Sequence, residues 1–290
     1  MITRLYVLHA LSPLHAGTGQ GVGLIDLPIA RERSTEHPIV PGSSLKGVLR
    51  DAAEGADAAN VHRYFGSPDA GEGAASMVRV SDARVLAFPV RSDKGTFAWV
   101  TSPFVLLRLL RDAGAAVGYT AAQVPAVADG KAITADNNAV VDRTVVTLDG
   151  LPYDRVAPQT AAPVFEALGK AVFSATDEAS VAWRQFFVTR LVIVSDDRFT
   201  WLVNHATDVR AHVRIGDSGT VEKGALWYQE TLPSETILAG LIQVAAVRRG
   251  DAPSDAFSLL GRLTELPLQV GGNATTGAGR VRLAFVGGGA

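Results

Sequence analysis

The chain has 290 residues, 47% of them hydrophobic and 19% charged, with 29 Gly, 14 Pro and no Cys. That apolar fraction excludes a disordered or collagen-like chain, and the missing Cys exclude a disulfide scaffold, a thiol nucleophile, a zinc–thiolate site and an iron–sulfur cluster. The formal net charge of −2 lacks the basic excess of a free-standing nucleic-acid binder, although the basic residues are skewed, 22 Arg to 5 Lys, toward the side chain better suited to bidentate phosphate contact.

Thr3 to Leu11 is an apolar run of strand length and reads as a buried first strand. His9 and the glycines that follow interrupt it, so it is not the apolar region of a signal peptide, and the chain reads as cytoplasmic. From Ser12 to Pro41 the composition changes, with Gly17, Gly19, Gly21 and Gly23, then Asp26, Arg31 and Arg33. A connection of that length is usually functional, and here it can bring His15 and Asp26 together.

A helix is expected next, with Ser43 as N-cap and Leu45, Val48, Leu49 and Ala52 as its core stripe. Lys46 and Arg50 then share the other face, where they and the free N–H groups of the first turn suit an anion. Residues Val78 to Val90 read as a second strand region. The stretch from 91 to 189 reads as a mainly helical insertion, with a helix opened by Thr101-Ser102-Pro103 and others near 162–173 and 178–189. Its longest apolar segment, Thr96 to Leu107, falls well short of the roughly 20 residues needed to cross a bilayer.

Beyond it come a strand at Leu191 to Val194, a short helix from Asp197 to His205, and two hairpin arms, Val209 to Ile215 and Thr220 to Glu230, about the turn Asp217-Ser218-Gly219. Arg210, His212 and Arg214 alternate onto one face of the first arm, suited to phosphate or simply to solvent. Ile237 to Val247 reads as a central strand, followed by a helix over Ser254 to Glu265, a short strand over Leu268 to Val270, the loop Gly271 to Gly279 and a closing strand over Arg280 to Val286. This order of elements predicts an α+β fold with an RRM-like, ferredoxin-like core over 1–90 and 190–290.

Common catalytic motifs are missing or broken. Gly17-x-Gly19 and Gly277-x-Gly279 are followed by Val22 and Arg282 where a dinucleotide fingerprint needs Gly, and Gly47 is followed by Val48 where a P-loop needs Lys. No His-Glu-x-x-His occurs, and a probable break separates His205 from His212. Ser43-x-x-Lys46 matches the serine–lysine pair of acyl-transferring enzymes, which leaves a serine acyltransferase as a remote alternative.

Four segments together carry a resemblance: His15-Ala-Gly-Thr-Gly-Gln-Gly-Val-Gly-Leu-Ile-Asp26 with Leu27 to Arg31; Pro38-Ile-Val-Pro-Gly-Ser-Ser-Leu-Lys46-Gly; Gly219 to Glu230 with Leu232 to Thr236; and Gly271 to Gly279. In this order they resemble the RAMP superfamily, specifically the repeated backbone subunit of type III-B (Cmr) CRISPR effector complexes. The resemblance implies an RRM-like palm, a helical insertion and a β-hairpin thumb at about 208–231. It implies stacked copies along a guide RNA, with other Cmr subunits and complementary target RNA as partners and no membrane. In the family each thumb displaces a nucleotide of the guide–target duplex at regular intervals, and an Asp of the first long loop cuts the target beside the gap by attack of the RNA's own 2′-hydroxyl. A divalent metal, Mg or Mn, is the implied cofactor.

Asp26 would be that residue, as metal ligand or base, with His15, Lys46, Glu230 and Tyr228 as catalytic candidates. Arg31, Arg33, Ser43, Arg50, Arg210, Arg214, Gly271, Gly272, Gly277 and Gly279 are the candidates for RNA contact, the glycines as a backbone nest. An inactive structural RAMP that only coats guide RNA is the alternative.

Overall fold

The computed structural model describes residues 1–19, 21, 24–57, 60–66, 75–217, 219–247 and 249–286; Gln20, Val22 and Gly23 of the first loop and Ser218 of the hairpin turn lie outside the described residues. The N-terminal half runs β1 (Ile2–Ala10), β2 (Ile39–Val40), α1 (Gly42–Asp57), α2 (Val61–Phe65), β3 (Val78–Val80), β4 (Ala83–Arg91), β5 (Phe97–Thr101), α3 (Pro103–Ala113), β6 (Lys131–Thr134), β7 (Val141–Asp142), β8 (Val145–Leu148) and β9 (Leu151–Val156). It continues with α4 (Ala162–Val172), α5 (Glu178–Val188), β10 (Leu191–Ile193), α6 (Asp196–His205), β11 (Asp208–Ile215), β12 (Val221–Thr231), β13 (Ile237–Val244), α7 (Pro253–Leu263), β14 (Leu268–Gln269) and β15 (Arg280–Phe285).

One large mixed sheet takes the order β14-β15-β1-β13-β4-β5-β10-β6-β9-β8-β7, with β2 beside β4 and β3 beside β13. Strand β1 is hydrogen-bonded on both edges, from Ile2 opposite Val244 to His9 opposite Ile237 and from Tyr6 opposite Phe285 to Ala10 opposite Val281. With neighbours on both edges it is buried from Leu5 onward, which is why its sequence is a continuous apolar run and not an alternation. Along β15, β1, β13 and β4 each strand is antiparallel to its neighbour, with α1 between β1 and β4 in the chain and α7 between β13 and β15. Helices α1 and α7 pack together, and α3 packs on β1, β4 and β13.

Of the stripe expected of α1, Leu45 and Leu49 are buried and Val48 and Ala52 pack partly buried against the core, with Ala53 buried beside them. Its start differs from expectation. The helix begins at Gly42, whose N–H donates to Asp82 Oδ1 at 2.8 Å, while Ser43 is exposed and caps nothing. A Cβ at residue 42 would overlap the Val80 carbonyl, so only glycine brings the helix this close to the strand and its capping carboxylate. Helix α3 opens as read, with Ser102 accepting from Val105 N–H and Pro103 in the first turn.

The segment 91–189, expected to be mainly helical, also supplies β5 to β9, which extend the sheet through β5 on β4 and β6 on β10. Strands such as Lys131–Thr134 are too short to be read alone, and Leu151–Val156 pairs both with β6 and, across the two-residue turn Asp149-Gly150, with β8. Hairpin β11–β12 forms a separate two-stranded sheet, in register from Asp208 opposite Thr231 to Val213 opposite Leu226. One face carries Arg210, His212, Trp227 and Gln229, with the His212 and Trp227 rings stacked at 5.5 Å. The other carries Val209, Val213, Leu226 and Tyr228, all exposed. Among the described residues no helix is long and apolar enough to cross a membrane.

Candidate functional site

The long first loop folds back on the root of the hairpin. Isolated bridges join Leu14 to Leu232, Gly17 to Ile29 and, in parallel sense, Leu27 to Gln229. Leu27 N–H donates to the Tyr228 carbonyl at 3.1 Å and its own carbonyl accepts from Glu230 N–H at 3.0 Å, so the loop lies along the free edge of β12. Asp26 is exposed at this junction, with Oδ2 accepting from Tyr228 N–H at 2.7 Å. Asp26 also lines an open cavity with Gly21, Leu27, Arg214, Gly224, Leu226 and Trp227. A carboxylate with one oxygen held by a backbone donor and the residue open to solvent is oriented and still able to take a proton.

His15 lies beneath the same junction, its Nδ1 2.7 Å from the Glu230 carbonyl. A carbonyl only accepts, so Nδ1 carries the hydrogen, and in the neutral ring Nε2 is the basic atom. That atom lies against Gly17, where a Cβ would overlap it. The C-terminal glycine loop closes on the other side: Gly272 N–H donates to the His15 carbonyl at 3.1 Å, and Gly271, at φ +76°, leaves no room for a Cβ against that carbonyl. Asn273 donates through Nδ2 to Gln229 Oε1. First loop, hairpin root and C-terminal loop thus meet around His15, Asp26 and Glu230.

The nest expected of the glycine loop is not what the structure builds. The N–H groups of Gly272, Gly277 and Gly279 donate to His15, Ala274 and Pro13 carbonyls, so three of the four glycines expected to face RNA spend their amides inside the protein and the loop braces the first loop. Glu230 and Arg31 also differ from their expected parts. Glu230 is 4% exposed, and its carboxylate accepts from Ile29 N–H at 3.1 Å, Thr207 Oγ1 at 2.9 Å and Arg31 Nη2 at 2.5 Å. Arg31 donates through Nη1 to the carbonyls of Glu36 and Val203 and to Asn204 Oδ1. Breaking such a buried pair costs about 3–5 kcal/mol, so Arg31 is committed to Glu230 and is not free for RNA.

Other arginines remain available. Arg214 is 3.8 Å from Glu222 and Arg210 3.5 Å from Asp208, exposed pairs of the kind that contribute about 0–1 kcal/mol and yield readily to a phosphate. Arg33 is exposed and makes no side-chain hydrogen bond or ion pair with any of the described residues. Tyr228 offers an exposed ring besides its backbone contacts.

On α1, burial first and then Arg50 hold Lys46 below the usual ammonium value, while Arg50 donates to Glu54 Oε1 at 3.3 Å. No hydrogen bond joins Ser43 to Lys46, so the serine–lysine pair is not formed, and none joins Lys46 to Asp26. Among the described residues no group of three or more His, Asp or Glu is placed to hold a metal ion. A single carboxylate such as Asp26 holds a Mg ion only together with waters and substrate phosphates, so a metal site here would be completed by the substrate.

Sequence reading missed Asp82, Thr207, Gln229 and Asn273. Asn273 alone carried a local signal, an Asn within a glycine run, and it adopts the left-handed conformation that Asn tolerates.

The sheet, the separate hairpin and this junction define an α+β protein with an exposed carboxylate held at the root of a two-stranded hairpin. The RAMP superfamily model matches residues 7–282, and the chain belongs to that superfamily. It is 35% identical over 286 residues to the CRISPR system Cmr endoribonuclease Cmr4 of Pyrococcus furiosus, covering 95% of this chain and 93% of that one. The crystal structure of oligomeric Cmr4 from Pyrococcus furiosus superposes with a TM-score of 0.75 at 30% identity over 98% of both chains. A cryo-EM structure of the type III-B Cmr-beta complex bound to cognate target RNA contains a chain of the same fold, with a TM-score of 0.77 at 20% identity over 98% of this chain and 97% of that one.

Proposed function

We propose that the protein is the backbone subunit of a type III-B CRISPR effector complex and cleaves target RNA complementary to the guide, with Asp26 as the central group. In this reading β15-β1-β13-β4 with α1 and α7 form an RRM-like, ferredoxin-like palm, since their chain order and sheet order are those of a split βαβ pair. Residues 91–189 form the insertion and β11–β12 the thumb. Guide RNA, target RNA, stacked copies of the chain and other Cmr subunits are its partners, and the cytoplasm its place of action.

The observation that carries the proposal is Asp26: an exposed carboxylate with one oxygen fixed by the thumb's backbone, in a cavity that Arg214 also lines. Cleavage by the RNA's own 2′-hydroxyl needs the 2′-oxygen, phosphorus and departing 5′-oxygen in line, which a stacked duplex forbids and a displaced nucleotide permits. The exposed face of β11–β12 is suited to hold a nucleotide out of the stack. Asp26 then takes the 2′-hydroxyl proton, the new O–P bond forms as the P–O5′ bond breaks, and Arg214 offsets charge on the phosphate. The 5′-oxygen leaves with a proton from protonated His15 or from Lys46, giving a cyclic phosphate and a 5′-hydroxyl. A divalent Mg or Mn ion, for which Asp26 would be the ligand from this chain, would add charge neutralisation at the phosphate.

The test assembles the complex around a known guide and adds end-labelled complementary RNA with magnesium, comparing wild type with Asp26→Asn. Regularly spaced products from wild type, and a loss of at least about a hundredfold in the variant with target affinity unchanged, is the expected result. If both bind target and neither cuts, the chain is a guide-coating scaffold.

A further inference from the structure

All the polar atoms of Glu230 are spent on positioning. Its N–H donates to the Leu27 carbonyl at 3.0 Å, its carbonyl accepts from His15 Nδ1 at 2.7 Å, Oε2 accepts from Ile29 N–H at 3.1 Å, and Oε1 accepts from Arg31 Nη2 at 2.5 Å and Thr207 Oγ1 at 2.9 Å. Four of the five partners belong to the loop that carries Asp26. Leu27, Ile29 and Arg31 are alternate residues, which in extended chain present themselves on one side, so a single glutamate registers the whole segment. At 4% exposure its carboxylate does not reach a substrate. Arg31 carries the tie onward to the end of α6 through the Val203 carbonyl and Asn204 Oδ1.

We propose that Glu230, with Arg31, is the positioning residue of the cleavage site: it locks the first loop to the thumb root, so that Asp26 and His15 travel with the hairpin. The inference rests on reading Asp26 as the cleaving group and adds that the thumb, not the palm, sets where that group stands. A thumb displaced on the RNA takes the carboxylate with it.

Two measurements test this on Glu230→Gln, Arg31→Gln and the double variant: amide hydrogen exchange of residues 12–31 in the free protein, and single-turnover cleavage by the assembled complex from about pH 5.5 to 9. Gln keeps the size of Glu230 but loses the charge that holds Arg31 and turns an amide donor toward existing donors. Each single variant is expected to exchange faster across 12–31 and to cleave at least about tenfold more slowly, with unchanged target affinity and an unchanged pH-profile shape. The double variant is expected to fall within about threefold of the worse single variant, because the two residues act as one unit.

A Glu230→Gln profile that loses one limb while exchange stays at the wild-type level would make Glu230 a proton-transfer group and overturn the proposal. Wild-type cleavage and exchange in both variants would overturn it as well. Thr207→Val, which removes one bond and spares the ion pair, guards against a folding failure and is expected to speed exchange over the same residues to a lesser degree. An Asp26→Asn complex that cleaves like wild type sinks the reading of Asp26 alone, and the exchange data then still decide whether Glu230 anchors the loop.

Discussion

His37, 3% exposed, ties the first loop to α6 through Nε2 and Thr200 Oγ1 at 3.0 Å. Burial holds its imidazole below the ordinary value of 6.5, Glu32 and Asp196 pulling it up and Arg108 and Arg31 pushing it down. The unfolded chain therefore takes this proton at higher pH than the folded one, and folding stability falls as pH drops below about 6.5. Glu32 acts in a lower window. Burial raises its carboxyl, but hydrogen bonds from Arg108 and Thr35 and the charges of Arg108 and Arg84 outweigh that and leave it below 4.5. Its contribution is full above the unfolded value and is lost as pH falls through the folded one. In thermal melts across pH, His37→Gln is expected to flatten the slope just below pH 6.5, whereas Glu32→Gln is expected to flatten it at lower pH while widening the His37 window, since the charge that pulls that imidazole up is gone. Neither shift was legible in the sequence, where His37 and Glu32 are two polar residues of a loop; each arises from what packs against it.

Helix α1 shows how far an element can be read locally. Its amphipathic stripe was plain, because 3.6-residue periodicity is a property of the segment itself. Its capping was not, because Asp82 comes from the turn between β3 and β4, forty residues away. Asp82→Ala is expected to cost about 1 kcal/mol, as loss of a capping carboxylate does, whereas Ser43→Ala is expected to cost close to nothing. Urea denaturation of the two variants measures the difference. Gly42→Ala is expected to be worse than either, since backbone of β3 and the residue after it stands where the methyl group would go. The same contrast separates β1 and β13, visible as long apolar runs, from β6, β7 and β9, too short to be read alone, although the Asp149-Gly150 turn that joins β8 to β9 is a local hairpin signal that sequence reading missed.

At the scale of the whole molecule, a net charge of −2 looks unpromising for the proposed RNA binding, but several arginines are spent on carboxylates of the protein itself. Arg31, Arg84, Arg108 and Arg198 are held by carboxylates within the fold, while Arg33, Arg210 and Arg214 are exposed and weakly committed. Arg210→Ala and Arg214→Ala are each expected to weaken guide-RNA binding and to reduce the slope of log affinity against log salt by about 0.7, the value for one lost single-strand phosphate contact; titration across salt concentrations checks this. The sequence by itself determined the α+β class, the apolar strands β1 and β13, the helix periods, the hairpin and the segments that point to Asp26. These signals are local, repeating every two or 3.6 residues or lying in short runs of glycine and charge. Only the tertiary structure decided that residues 91–189 extend the sheet, that Arg31 and Glu230 satisfy each other, and that the glycine loop braces His15. Whether a charged group faces solvent, substrate or a buried partner depends on segments some 200 residues apart in the chain, as Ile29 and Arg31 are from Glu230.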